Sequence, residues 1–550
     1  MLKIRDFIVI FALCMTLLLF FLAFTPYTYS SYFSMSEREI ITKIEKQDLG
    51  ISNRSIAIIN SSNEDIRNVI TSTLGWMQIN HVVYDTIAEM DNEETLVITS
   101  SIINADDISM IKDFLSTGGN VIFAAKLDFV LGLDFANDEL FELLGIKTQT
   151  PDYEVAGFTI YDGIILSGLT HVPEYSFVSN GLELHGHAKI FANGYSPALA
   201  AEIEEDPVRA EYPDITPLIW RTIYENGQVF AINAPFLSET SGAGVLAGVL
   251  ALCYDDLLYP VVGTKTVALE NFPYIRDIYY PVNARTTFAY TRDIIWPGLL
   301  STAKNMDLTY TCYTNGDFYQ STEAEISLQF ILEELSHLNY GELAYGSAGL
   351  GRYEADMQYL NEHFYGIKIN SLINPTGIYG TNITAVSNTD KFEGFTWQND
   401  KAVTLPVTGS GNDVNESTFA FESYITAFGF AMHHIDMEPV FLEENTANLY
   451  MRDVSAKLYD LFQRRDYLEA ASALIASQRV KDYLNLNMAV TYQENGIDAV
   501  LNGHRDAVKF ILRTTKDINE RRSSGITIQK IYEGVYLLTV ESESFSIVLE

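Results

Sequence analysis

The stretch TVALENFP, residues 266–273, decides the fold. Its β-branched and apolar letters read as a buried strand that ends at a turn. Outward from it, helical and extended patterns alternate. WPGLLSTAKNMDLTYTCYTNG (296–316) reads as a helix followed by a strand, and EISLQFILEELSHLNYGEL (325–343) repeats that order. YEADMQYLNEHFYGIKINSLINPTGIYGTNI (353–383) and FGFAMHHIDMEPVF (428–441) continue it. Strands separated by helices imply a parallel sheet with helices packed on it.

The 550 residues suffice for two or three domains, and 47% hydrophobic against 19% charged letters describe a globular chain with ample core. Seventy-two acidic against 35 basic residues leave a formal charge of −37, spread along the chain. Such a surface repels phosphates and anionic lipid headgroups, so no nucleic-acid partner is expected. Neutral or cationic partners suit it, and plain solubility is the alternative use of the charge. Cys14, Cys253 and Cys312 make no disulfide framework.

MLKIRDFIVIFALCMTLLLFFLAFTPYTYS (1–30) places Lys3 and Arg5 before an apolar run from Phe7 to Phe24. About 18–20 apolar residues span a bilayer as a helix, whereas a secretory core is about 7–15. Residues 1–30 therefore read as a signal anchor, one transmembrane helix, with cleavage after Ser30 as the alternative. The leading positive charges stay inside, which puts the bulk of the chain outside a single-pass cell membrane.

Residues 53–255 form the first globular region. SIAIINSSNEDIRNVITSTLGWMQINHVVYD (55–85) reads strand, amphipathic helix, strand. TLVITSSIINADDISMIKDFLSTGGNVIFAAK (95–126) repeats it, with Gly118-Gly119 stopping the helix. After a β-rich insertion, LIWRTIYENGQVFAINAPFLSETSGAGVLAGVLALCY (218–254) gives two strands across Asn226-Gly227 and then a helix. FLSTGGNVIF (114–123) resembles class I glutamine amidotransferase-like domains. Their chemistry needs a cysteine on a strand-to-helix turn, and none occurs between Cys14 and Cys253. The region is expected to be scaffold or binding surface. His185 and His187 in LHGHAK are expected to be a surface pair.

From Thr266 to Phe441 the helix-to-strand phrases quoted above resemble the polysaccharide deacetylase (NodB-like) family, a deformed (β/α) barrel. The arrangement is similar to membrane-anchored bacterial members with an amidotransferase-like domain before the barrel, related to Pel-type exopolysaccharide deacetylases. The resemblance implies a first strand ending in two aspartates, one a base and one a metal ligand; Glu270 and Asn271 stand there. A rival alignment on TTFAYT (286–291) would put Ala289 and Tyr290 in those places. It implies two metal-binding histidines four residues apart; His337 matches the first and Gly341 replaces the second. It implies a substrate loop, here INPTGIYG, with Asn374 in the arginine position and with Pro375, Gly377, Tyr379 and Gly380 retained. It implies a histidine acid on a late strand, for which His433 and His434 compete, with Asp436 and Glu438 nearby.

On this reading the barrel spans 256–485 and keeps too few ligands for a divalent ion, so no metal and no cofactor are expected. Glu270 and His434 are the candidate acid/base pair; Asn271, His337, Asn374, Pro375 and Tyr379 are candidate sugar-binding positions. Residues 486–550 alternate as a small antiparallel β module. Three functions are compatible with these letters. One is a pseudo-enzyme that binds an extracellular polysaccharide, including an amine-bearing one. The second is an active deacetylase or hydrolase using Glu270 and His434. The third is a docking subunit among exopolysaccharide synthesis or export proteins.

Overall fold

The computed structural model describes residues 52–550 except 61–62, 128–134, 162, 168, 206–214, 276–278, 281–284, 317, 319–322, 339–340, 347–349, 365–366, 378–381, 390–393, 415–417 and 443–446, together with 15–16, 41–44 and 49. The anchor expected over 1–30 lies outside the described residues apart from Met15 and Thr16. Among the described residues, no helix is long and apolar enough to cross a membrane.

The first sheet begins with β1 (Ile56–Ile59), β2 (His81–Tyr84), β3 (Thr95–Ile98) and β4 (Asn120–Phe123). They pair in parallel in the order β2-β1-β3-β4. β1, β3 and β4 are buried on both faces, which is why their letters are apolar without alternation. The connecting helices Glu64–Trp76 and Ala105–Ser116 bury Ile66, Ile70, Leu74 and Ile108, Ile111, Leu115 at three- and four-residue spacing. Asn104 Oδ1 accepts from Asp107 N at 2.8 Å and caps the second helix.

The expected insertion is part of the same sheet. β5 (Ile146–Ile160), β6 (Leu169–Leu184), β7 (Lys189–Tyr195) and β8 (Ile215–Tyr224) pair antiparallel. β9 (Gly227–Ile232) joins them to β4, giving nine strands in the order β2-β1-β3-β4-β9-β8-β7-β5-β6. A wholly parallel sheet is thus corrected to a mixed one. The β8–β9 turn also sits one residue earlier than expected, because Tyr224 pairs with Gly227 and leaves Glu225-Asn226 at the bend. Gly227 is needed for another reason: a Cβ there would collide with the Gly119 carbonyl.

β10 (Asp256–Val261) is followed by β11 (Thr264–Glu270), the strand quoted first. After the short pair β12 (Tyr279–Tyr280) and β13 (Arg285–Thr286) come β14 (Tyr310–Thr314), β15 (Glu342–Tyr345), β16 (Ser371–Ile373) and β17 (Ala385–Ser387). β18 (Val403–Thr404), β19 (Gly409–Ser410) and β20 (Phe430–Asp436) complete an open parallel half-barrel, β18-β17-β16-β15-β14-β11-β20-β19. All these pairings are parallel, so every strand ends at the same rim. The rival alignment fails locally, since Thr287–Tyr290 is helical and leads into helix Trp296–Met306.

Beyond β21 (Glu469–Ala470), six strands close the chain: β22 (Asn487–Gln493), β23 (Gly496–Asn502), β24 (Val508–Thr514), β25 (Ile526–Tyr532), β26 (Val535–Val540) and β27 (Ser544–Val548). They form two antiparallel sheets, β22-β23-β27 and β10-β24-β26-β25. Residues 256–261, expected to open the barrel region, therefore pair with the C-terminal strands.

One apolar core runs from Ile56 through the barrel to Leu537. Trp76, ending the first helix, sits edge-on to Phe428 at 5.6 Å and Phe395 at 6.3 Å. Polar groups join the regions as well. Arg465 gives Nη2 to both carboxylate oxygens of Glu422 at 2.6 Å and Nη1 to Tyr532 at 3.1 Å. Ser167 donates to the same Glu422 at 2.8 Å. Arg513 in β24 donates to the carbonyls of Gly163 at 2.5 Å and Ile164 at 3.4 Å.

Arg465→Met is expected to destabilise the fold by about 3–5 kcal/mol, because it leaves a buried carboxylate unpaired. Adding Glu422→Leu is expected to restore most of that loss in chemical denaturation. Additive losses in the double variant would contradict the pairing. Glu342, buried at the start of β15, accepts from Ser371 Oγ at 2.7 Å and Leu474 N at 2.8 Å, and burial pushes its carboxyl up to about 7. A raised carboxyl pKa means the folded state takes up a proton between about pH 4.5 and 7, so stability falls as pH rises through that window. The Glu342→Gln variant is expected to lose about 3 kcal/mol of that slope. Equal slopes would show that Glu342 does not ionise there.

Candidate functional site

The strand-end rim brings together side chains that lie far apart in sequence. Glu270 is the last residue of β11, and in β20 its parallel partner is Asp436. Paired residues of a parallel ladder face the same side, as do residues two apart on one strand. Glu270, His434 and Asp436 therefore share a face. His434 Nε2 lies 2.8 Å from Glu270 Oε2, and both side chains are nearly buried. With Glu270 ionised, Nε2 carries the proton and donates.

His433 points the other way. Its Nε2 is 2.8 Å from the Gly411 carbonyl, and burial drives its pKa down to about 3, so it stays neutral. Of the two adjacent histidines, His434 is the one that meets Glu270.

Asn271 follows with φ +56. Asparagine tolerates this left-handed conformation better than most residues. Its Nδ2 donates to Asp436 Oδ1 at 2.7 Å, and the same oxygen accepts from Glu438 N at 2.9 Å. Among the described residues, Asn271 Oδ1 is buried without a hydrogen-bond partner, as is Asn315 Oδ1 just past β14. Each such orphaned acceptor costs about 1–3 kcal/mol. A small cleft is lined by these two asparagines with Pro273, Tyr274, Arg352 and Glu438. Behind it, Arg352 Nε lies 3.9 Å from Asp356 Oδ2, which accepts from Tyr345 OH at 2.5 Å. Below, the Tyr313 phenol is pushed well above its ordinary range by burial and by the Glu342 and Glu270 carboxyls.

Other sequence candidates stand elsewhere. His337 caps the C-terminus of helix Ala324–Ser336, which returns the chain to the start of β15, at the rim where strands begin. Its side chain is 65% exposed, with Nδ1 3.9 Å from Glu334. Gly341 packs its Cα against helix Ala324–Ser336, where a Cβ would lie 2.7 Å from the Leu335 carbonyl. That close approach explains the glycine, and the His337–Gly341 pair does not join Glu270. Asn374, with φ +47, ends β16 at the correct rim. Its amide is occupied within the loop, donating to Thr389 Oγ1 at 2.8 Å and accepting from Thr389 N at 2.7 Å. Pro375 follows it; Tyr379 and Gly380 lie outside the described residues. His185 and His187 stack at 5.6 Å on an exposed edge. Asn315, Arg352 and Asp356 were missed; the TNG ending of a strand was the available signal.

A divalent ion of the kind the deacetylase resemblance implies does not fit this donor set. Glu270 and His434 face each other, and Asp436, on the same face, is engaged by the Asn271 NH2 group and the Glu438 N–H. Among the described residues, no group of three or more His, Cys, Asp or Glu side chains is placed to hold a metal. What the arrangement offers is a proton donor–acceptor pair beside a rim of acceptors.

Asn271→Asp restores the aspartate that the resemblance implies and sets two carboxyls within hydrogen-bonding distance. One of them must then titrate high. The variant is expected to be less stable than wild type at pH 8 by about 1–3 kcal/mol, with the gap closing at pH 5. Melting temperatures at both pH values check this, and a gap independent of pH would disprove the Asn271–Asp436 contact.

Comparison with known proteins bears on the fold. The crystal structure of Agd3, described as a novel carbohydrate deacetylase, superposes with a TM-score of 0.56 at 9% identity, covering 91% of this chain and 99% of that one. At that identity the likeness shows a shared, deacetylase-like fold. A cytoplasmic protein of Salmonella typhimurium LT2 matches at 14% identity and TM-score 0.25, over 36% of this chain and 99% of its own. The β-galactosidase of the Antarctic haloarchaeon Halorubrum lacusprofundi matches at 12% and 0.27, over 38% and 31%. Neither of these two carries weight. No curated protein matches the chain. A family model matches residues 39–342, more than half of the sequence, and on that match the chain belongs to the uncharacterised proteins conserved in bacteria designated DUF2194.

Proposed function

We propose that this chain binds a polysaccharide at the strand-end rim of its half-barrel, without metal-dependent deacetylation. The carrying observation is the closed pairing at that rim. Glu270 to His434 at 2.8 Å and Asn271 to Asp436 at 2.7 Å engage the side chains that a metal would need. The shared fold with a carbohydrate deacetylase supports the ligand class. In this proposal the apolar N-terminal run anchors the chain in the cell membrane with its bulk outside. There it serves exopolysaccharide synthesis or export and docks on the proteins of that system.

A second reading is favoured by the same 2.8 Å contact. Glu270 would take a proton from water as it adds to an acetamide carbonyl, and imidazolium at His434 would protonate the departing amine. The C–N bond breaks, releasing acetate and the free amino sugar. What weakens this reading is the missing electrophile, since stabilising the developing oxyanion usually supplies most of the acceleration.

Full-length protein incubated with acetylated amino-sugar oligomers, with and without zinc, separates the two. Retained binding with no acetate released is expected. Acetate release that disappears in Glu270→Ala would move the assignment to a metal-free hydrolase. Tyr379→Ala is expected to weaken glycan binding about tenfold, as loss of one stacked ring does; unchanged affinity would place the sugar away from the 374–380 loop.

A further inference from the structure

We propose that the cleft between β11, β14 and Glu438 takes the ammonium group of a deacetylated amino sugar; the inference rests on the polysaccharide-binding reading and specifies its ligand.

Size limits the occupant first. The cavity holds about 20 Å³, room for one water-sized group. An ammonium head fits that space, and an acetamido group does not.

Hydrogen-bonding chemistry points the same way. Asn271 and Asn315 line the cleft, and the Oδ1 of each is a buried acceptor with no hydrogen-bond partner among the described residues. Asn271 cannot offer its NH2 group instead, because that group donates to Asp436 at 2.7 Å. Glu438 adds a carboxylate to the lining. Arg352 is the one cation in the lining, and its guanidinium faces the buried Asp356. An ammonium has three donors and no acceptor, which suits two amide oxygens and a carboxylate. A hydroxyl or an acetamide brings a single donor, O–H or N–H, to a site with several acceptors. Charge agrees: Asp436 and Glu438 lie at the rim of a chain whose formal charge is −37.

The test is calorimetric titration of the full chain with glucosamine oligomers and with N-acetylglucosamine oligomers of equal length. The free-amine oligomer is expected to bind about tenfold more tightly, the scale of one charge-assisted hydrogen bond. That preference is expected to shrink as salt rises from about 50 to about 300 mM. It is also expected to fall in Asn315→Leu and, independently, in Glu438→Gln, which keeps the shape of the site. Equal or tighter binding of the acetylated oligomer overturns the ammonium assignment and leaves glycan binding intact. A preference unchanged in both variants also overturns it, by tracing the effect to the acidic surface at large. Binding of neither oligomer removes the underlying reading as well.

Discussion

Glu422 and Arg465 form an ion pair inside the molecule, one guanidinium nitrogen reaching both carboxylate oxygens, and three stretches of chain meet on it. Ser167 reaches it from the first sheet, Glu422 belongs to helix Phe419–Phe428 over the barrel, and Tyr532 reaches it from the C-terminal strands. Taking two charges out of water is costly, and their attraction does little more than offset that cost. The pair's consequence is specificity: any arrangement that separates these three stretches leaves a charge buried and unpaired. Arg513 acts similarly on the Gly163 and Ile164 carbonyls, and Arg54 lies over the rings of Tyr254 and Tyr492 at 4.7 and 3.7 Å.

Lys265, Lys457, Arg465, Lys481 and Arg513 are buried in a chain with only 35 basic residues. Asp256, Glu342, Asp356, Glu422 and Asp482 are buried too, so the withdrawn charges balance and the exterior stays as negative as the composition implies.

Where the deacetylase resemblance implies a carboxylate ligand, Asn271 accepts a left-handed backbone and ties β11 to β20 through Asp436. Gly341, aligned by that resemblance with a second histidine, stands at the opposite rim and allows a helix end to approach closely. Local packing explains each residue where it stands.

Strand and helix positions were legible in the letters, because apolar spacing follows from which face an element buries, and that spacing is local. TVALENFP as a strand, the helices after it, and the alternating C-terminal strands are all visible in this way. Alternation also puts His434, Asp436 and Glu438 on one side if the strand runs on, which holds for the first two, whereas β20 ends at Asp436 and Glu438 opens a helix. Partnership was not legible. That residues 256–261 pair with β24, that β5–β8 extend the first sheet, and that His337 stands at the far rim from Glu270 depend on how distant segments meet. The Glu270–His434 contact spans 164 positions of sequence. No local pattern encodes such a distance; only the closure of parallel strands around one core brings those two groups together.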